Sequence, residues 1–292
     1  MKRTCFIFLL FLLSLILDAA SLKVSPGGFL VQNISPGKTY NLQETSRIKL
    51  SIFNDDTSTH TYALSVQKPS SVGNWEKGYL EIPDPAWCWF SPNDISIGPQ
   101  QVGYGNLFFK IPDKEIYYNQ RWVATIGILG KQERGIGFGL GIYVRVQIET
   151  EPKDESSAPP DGPIGIGPSL ASFDNIVPGE TYSQIVTIFN NESEKSSFNI
   201  TSLSKYPDIK PSTYLTSSYE QIPDPTWISL EKEKLTIDPQ ASKILAIKIS
   251  IPKQGEFSDK KFEEILFVEP EKGRPGFIRV RITTAKEVSQ QP

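Results

Sequence analysis

Ile82-Pro83-Asp84-Pro85-Ala86-Trp87 returns as Ile222-Pro223-Asp224-Pro225-Thr226-Trp227, displaced by 140 positions (223 − 83). The same displacement carries Pro99-Gln100 onto Pro239-Gln240 and Ile111-Pro112 onto Ile251-Pro252 without a gap. A match this long is one structural unit copied, so the chain reads as two domains of one fold.

Outward from that unit the copies stay aligned except at two insertions. Toward the N-terminus, Pro36-Gly37 and Tyr40 match Pro178-Gly179 and Tyr182 at a displacement of 142. Ile52-Phe53-Asn54 then match Ile188-Phe189-Asn190 at 136, so the first copy carries six extra residues there (142 − 136). Toward the C-terminus, Trp122, Ala124, Ile126 and Ile128 alternate as a strand, matched by Phe262, Glu264, Leu266 and Val268. The last strand, ending at Ile148, matches the one ending at Ile282 at 134, so the hairpin before it is again six residues longer in the first copy (140 − 134).

Short alternating runs bounded by Pro-Gly and Asn/Asp turns give about seven strands per unit, the count of an immunoglobulin-like sandwich. The expected fold class is therefore all-β: two tandem immunoglobulin-like β-sandwiches from an internal duplication. Lys2 and Arg3 before the apolar run at 6–17, with Ala19 and Ala20 after it, read as a secretory signal. The expected organisation is a signal at 1–20, domain 1 at 21–150, a Pro- and charge-rich linker at 151–163, domain 2 at 164–286 and a polar tail at 287–292. A mature protein outside the cytoplasm follows, secreted, periplasmic or on the cell surface, with no membrane span once the signal is cleaved.

The 30 basic and 33 acidic residues leave a formal charge of −3, which gives no reason to expect nucleic acid as a partner. With Cys5 in the signal, Cys88 stands alone, and its twin Ile228 marks it as a small buried hydrophobe. The sole histidine, His60, falls in a hairpin, and no nucleophile, metal or phosphate motif can be assembled around it. Asp84 and Asp224 sit in Pro-Asp-Pro and read as turn acceptors. No enzyme, cofactor or metal is expected.

Comparing twins singles out two features of domain 1. Phe108 and Trp89 stand where domain 2 has Lys248 and Ser229, so aromatics replace groups that should face water. The hairpin extensions or the second domain could cover them, or they could form a partner-binding patch. The second feature is the run at 135–148, where Gly135, Gly137, Gly139 and Gly141 alternate with apolar residues. One face then supplies core while the flat face is covered by Trp122 or a similar side chain. On the sharper reading the strand is an open edge for addition of a partner strand.

The signal, the Pro-Gly turn, the strand ending at Asn54, Pro99 before a strand ending in Ile111-Pro112, and the long alternating last strand together resemble the first domain of PapD-like periplasmic pilus chaperones. The pattern is also similar to the immunoglobulin-like domains of WxL-associated surface proteins. The resemblance implies a binding protein in which a basic residue of the last strand, here Arg145, meets a subunit's terminal carboxylate. Two departures stand out: the first strand, Phe29-Leu30-Val31-Gln32, lacks a basic residue, and Arg279 is the twin of Arg145, which points to ion pairing instead. The expected function is non-enzymatic engagement of another envelope or surface protein through domain 1, with Trp89, Phe108, the four glycines and Arg145 as candidate contacts. The alternative is glycan or cell-wall binding through the exposed aromatics.

Overall fold

The computed structural model describes residues 22–73, 75–131, 141–153, 162–254 and 256–286. The signal at 1–20, most of the linker, the tail at 287–292, and Gly135, Gly137 and Gly139 lie outside the described residues.

The first sandwich runs β1 (Leu22–Ser25), β2 (Gly28–Ile34), β3 (Thr39–Asn41), α1 (Leu42–Ser46), β4 (Leu50–Asn54), β5 (His60–Gln67), β6 (Leu80–Glu81), β7 (Cys88–Phe90), β8 (Asp94–Ile97), β9 (Gln101–Gly105), β10 (Leu107–Lys110), β11 (Arg121–Gly130) and β12 (Gly141–Thr150). The second runs β13 (Ile164–Gly167), β14 (Leu170–Ile176), β15 (Thr181–Asn190), β16 (Ser196–Ser202), β17 (Glu220–Gln221), β18 (Ile228–Leu230), β19 (Lys234–Ile237), β20 (Ser242–Ser250), β21 (Lys261–Pro270) and β22 (Gly276–Thr284).

In each copy a large sheet faces a smaller layer. The large sheets have orders β2-β12-β11-β5-β8 and β14-β22-β21-β16-β19, with β6 and β17 added beside β11 and β21. Opposite them lie β13-β15-β20-β18 in domain 2 and, in domain 1, the same layer broken into β1-β4-β9 and β3-β10-β7. The break is the first six-residue insertion. Where β15 runs unbroken, domain 1 has β3, α1 and β4. Asn41 caps α1 by accepting the Gln43 N–H, and Leu42, 2 % exposed, pins the helix to the core.

The chain changes layers between its first two strands. β1 pairs antiparallel with β4, and β2 then pairs parallel with β12. Pro26 lies at the crossing and Pro168 at its twin. Proline has no N–H to leave unpaired where a ladder ends.

The two large sheets turn their outer faces toward each other. Trp122, Ala124, Ile126 and Ile128 point into the first core, while Val123 joins Tyr79 from domain 1 with Leu203, Tyr214, Ile265, Phe267 and Phe277 from domain 2. This second apolar contact is why β11 is buried at eight consecutive residues instead of alternately. Elsewhere the twin comparison holds in detail. Asp84 accepts from Ala86 N at 2.9 Å and Asp224 from Thr226 N at 2.8 Å. Cys88 is buried, and burial pushes its thiol far above the usual range. His60, half-exposed, meets Asp56 at 2.7 Å.

One core position departs from its twin. Glu264 stands where domain 1 has Ala124 (264 − 140), fully buried, with Oε1 accepting the Ile265 N–H and Oε2 lacking a partner among the described residues. Burial raises its pKa above the ordinary 4.5. The folded state therefore holds this proton more tightly than the unfolded one, and stability falls as pH rises above 4.5. Glu264→Gln is expected to stabilise by ~1–2 kcal/mol at pH 8, with the gain gone near pH 4. Urea unfolding at the two pH values measures it.

Candidate functional site

Among the described residues the start of β12 has a strand neighbour on one side, and the start of β22 is paired in the same way; the copies differ in that domain 2 buries this end and domain 1 exposes it. Along β11, β12 is paired from Gly141 to Glu149. On its other side β2 begins only at Gly28, opposite Arg145. The expectation of an open edge along the whole run is thus corrected. From Arg145 onward β12 lies inside its sheet, because the second half of the switched first strand covers it. Among the described residues, 141–144 pair with β11 alone. Gly141 faces the Leu129 side chain, and Trp122 belongs to the core, so Trp122 does not cover this face.

Tyr143, 45 % exposed, marks that edge. Its ring lies over Gly127 across the β11–β12 pair, the usual cover for a strand glycine. Its twin Phe277 is 1 % exposed and sealed into the interdomain cluster. The same sequence position therefore closes the joint in one copy and meets water in the other.

Below the edge opens a cleft of about 470 Å³ between β2, β12 and the domain 2 turn at Ser212 and Thr213. Arg145 and Gln147 line it from β12. Arg145 is ion-paired with Glu76, whose Oε1 accepts the Tyr214 hydroxyl at 2.9 Å. Gln147 is 5 % exposed and its Nε2 has no partner among the described residues. An amide donor buried without an acceptor costs about 1–3 kcal/mol, and a guest carrying acceptor oxygens would remove that cost. Every side-chain polar group named here on the wall can donate, so the cleft suits a carboxylate or a row of peptide carbonyls.

Sequence reasoning missed the ionic chain at the joint between the domains. Glu149 is 3 % exposed and receives Tyr79 Oη at 2.7 Å, Arg121 Nη1 at 3.1 Å and Arg279 Nε at 3.0 Å. Arg279 also reaches Glu263 at 2.7 Å, and Glu263 takes Arg281 at 2.8 Å. Tyr79, Arg121 and Glu149 belong to domain 1 and Arg279, Glu263 and Arg281 to domain 2, so one ionic chain crosses the joint. Burial by itself would raise the Glu149 pKa. The guanidinium groups of Arg121 and Arg279 outweigh it and hold the carboxyl down at about 2. Both Arg145 and Arg279 are ion-paired, as their twin relation implied.

Trp89 and Phe108 come together, on β7 and β10, as a stacked pair with centroids 5.6 Å apart and planes 13° from parallel. Neither joins the interdomain cluster among the described residues, and Trp89 is 38 % exposed. The first insertion, α1, does not bury them. In domain 2 the same three-strand register holds Ser183, Lys248 and Ser229, so the layer forms without aromatics. Trp89→Ser is expected to leave the fold intact and to cost about 0.5–1.5 kcal/mol, the worth of an aromatic pair, in thermal unfolding.

No family model matches the chain, and no curated protein matches it. Among solved structures it is similar to a protein of unknown function from Porphyromonas gingivalis W83, at 12% identity and TM-score 0.36, covering 90% of this chain and 99% of that one. It is also similar to the E. coli chaperone DraB, at 11% identity and TM-score 0.32, covering 90% and 98%. A third is the class 5 fimbriae chaperone CfaA, at 9% identity and TM-score 0.33, covering 89% and 99%. Scores this low carry no weight for function. The all-β pair of sandwiches is read from the strand pairing itself.

Proposed function

We propose that this chain is a non-enzymatic extracytoplasmic binding protein whose first domain accepts an extended segment of another surface protein on the edge of β12. The observation that supports this is the meeting of two features: a strand end paired on one side only, and a donor-lined cleft beneath it. An incoming strand placed beside residues 141–144 continues the line of β2 and gains backbone hydrogen bonds. Its end then enters the cleft, where Arg145 and Gln147 can receive a carboxylate or peptide carbonyls. Gly141 has no side chain to obstruct the approach.

A photo-crosslinking residue at position 143 tests it in the cell of origin. The expected result is an adduct to one envelope protein, cut by Arg145→Glu, with no such adduct from position 185 on the far layer of domain 2. Equal labelling from both positions would overturn the assignment. A second reading, glycan binding, rests on the stacked pair of Trp89 and Phe108, whose flat apolar surface fits a sugar face. Fluorescence titration with soluble wall glycans is expected to show a response that Trp89→Ser removes. An unchanged response in the variant would end that reading.

A further inference from the structure

Where the end of β2, the end of β12 and the start of β14 meet, a small cavity of about 10 Å³ lies beside the ionic joint. That is room for about one water-sized guest. Arg121, Arg279 and Arg281 border it, with Glu149 and Ser169. Two buried polar atoms of these residues have no partner, Nε of Arg121 and Oγ of Ser169. Arg121 is 7 % exposed and Ser169 1 % exposed. The other Arg121 nitrogens are occupied, one by Glu149 and one by the Ser169 carbonyl, and the guanidinium lies over the Phe277 ring.

The charges do not balance. Three guanidinium groups stand against two carboxylates, Glu149 and Glu263, leaving one positive charge in a joint largely screened from water. Arg145 does not change this sum, because Glu76 answers it. One unmatched positive charge, two donors without a partner among the described residues and space for a single atom point to a small anion. A neutral water would satisfy the donors and leave the charge. A carboxylate or phosphate is too large.

We infer that the domain joint carries a site for a monoatomic anion, chloride under ordinary conditions, accepting from Arg121 Nε and Ser169 Oγ. Arg121 comes from domain 1 and Ser169 from domain 2, so the bound anion ties the two sandwiches together. The site is independent of strand addition at β12.

The test uses the intact two-domain chain at constant ionic strength, with sodium chloride replacing sodium gluconate. The unfolding temperature is expected to rise with the logarithm of chloride concentration above the dissociation constant, by about 3 °C at tenfold excess. Gluconate, too large for the cavity, sets the baseline. Ser169→Ala, which removes one donor and no charge, is expected to raise about tenfold the chloride concentration at which the rise begins. Crystals grown in bromide should show one anomalous peak within hydrogen-bonding distance of both atoms. Identical melting in chloride and gluconate, or a bromide map with no peak there, would overturn the site and leave water as its only occupant.

Discussion

Glu149→Ala is expected to lower the unfolding free energy by about 3–5 kcal/mol, the largest stability effect of any single substitution considered. The carboxylate answers Arg121 and Arg279 and also receives the Tyr79 hydroxyl. Removing it leaves Arg121 buried with no ionic partner, while Arg279 keeps Glu263. The loss comes mainly from the stranded charge, since a buried pair exchanged whole for apolar groups can be neutral. The wild type also carries a pH signature. With its pKa held at about 2 against an ordinary 4.5, Glu149 contributes stability that is complete above 4.5 and lost as pH falls toward 2. The variant should lose that acid limb. Because the bond spans the joint, calorimetry of the variant should also resolve two transitions where the wild type gives one. A variant as stable as wild type at pH 7 would show that the ionic chain does not hold the domains.

The largest effect on binding is expected from Gln147→Glu. The side chain keeps its size and its place in the cleft, and a donor becomes a second negative charge beside Glu76. A guest carboxylate there would face repulsion, and even peptide carbonyls would lose their donor. Capture of the crosslinked partner should weaken by about 30-fold or more, following the ~2–5 kcal/mol typical of a disrupted buried charge contact. Folding should weaken by about 1–3 kcal/mol at neutral pH, because the new carboxylate sits where Gln147 is 5 % exposed, so capture is compared at equal folded fraction. An affinity within threefold of wild type would move the partner's end out of this cleft.

Much of this was legible in the sequence, and the duplication is the reason. Alternation placed Trp122, Ala124, Ile126 and Ile128 on the core face, and the twins of Phe108 and Trp89 identified a surface position that domain 2 keeps polar. What stayed hidden depends on contacts between distant segments. Glu149 ends a strand and has Thr283 as twin (149 + 134), so nothing local marks it as the centre of an interdomain ionic chain. Arg121 likewise has exposed Lys261 as twin (121 + 140). The length of the open edge could not be read either. It is set by where β2 leaves β1's layer and meets β12, and parallel pairing leaves no turn in the sequence to fix its register.

Hydrogen exchange on the free, intact chain tests the edge most directly. A strand paired on one side protects alternate amides only, while one paired on both sides protects all of them. Within residues 141–144, alternate amides should exchange at rates near those of an unstructured chain, and the amides of residues 145–148 should all be slow. Uniform slow exchange across 141–148 in the free protein would mean that the edge is already filled, and capture of a partner strand at β12 would be contradicted.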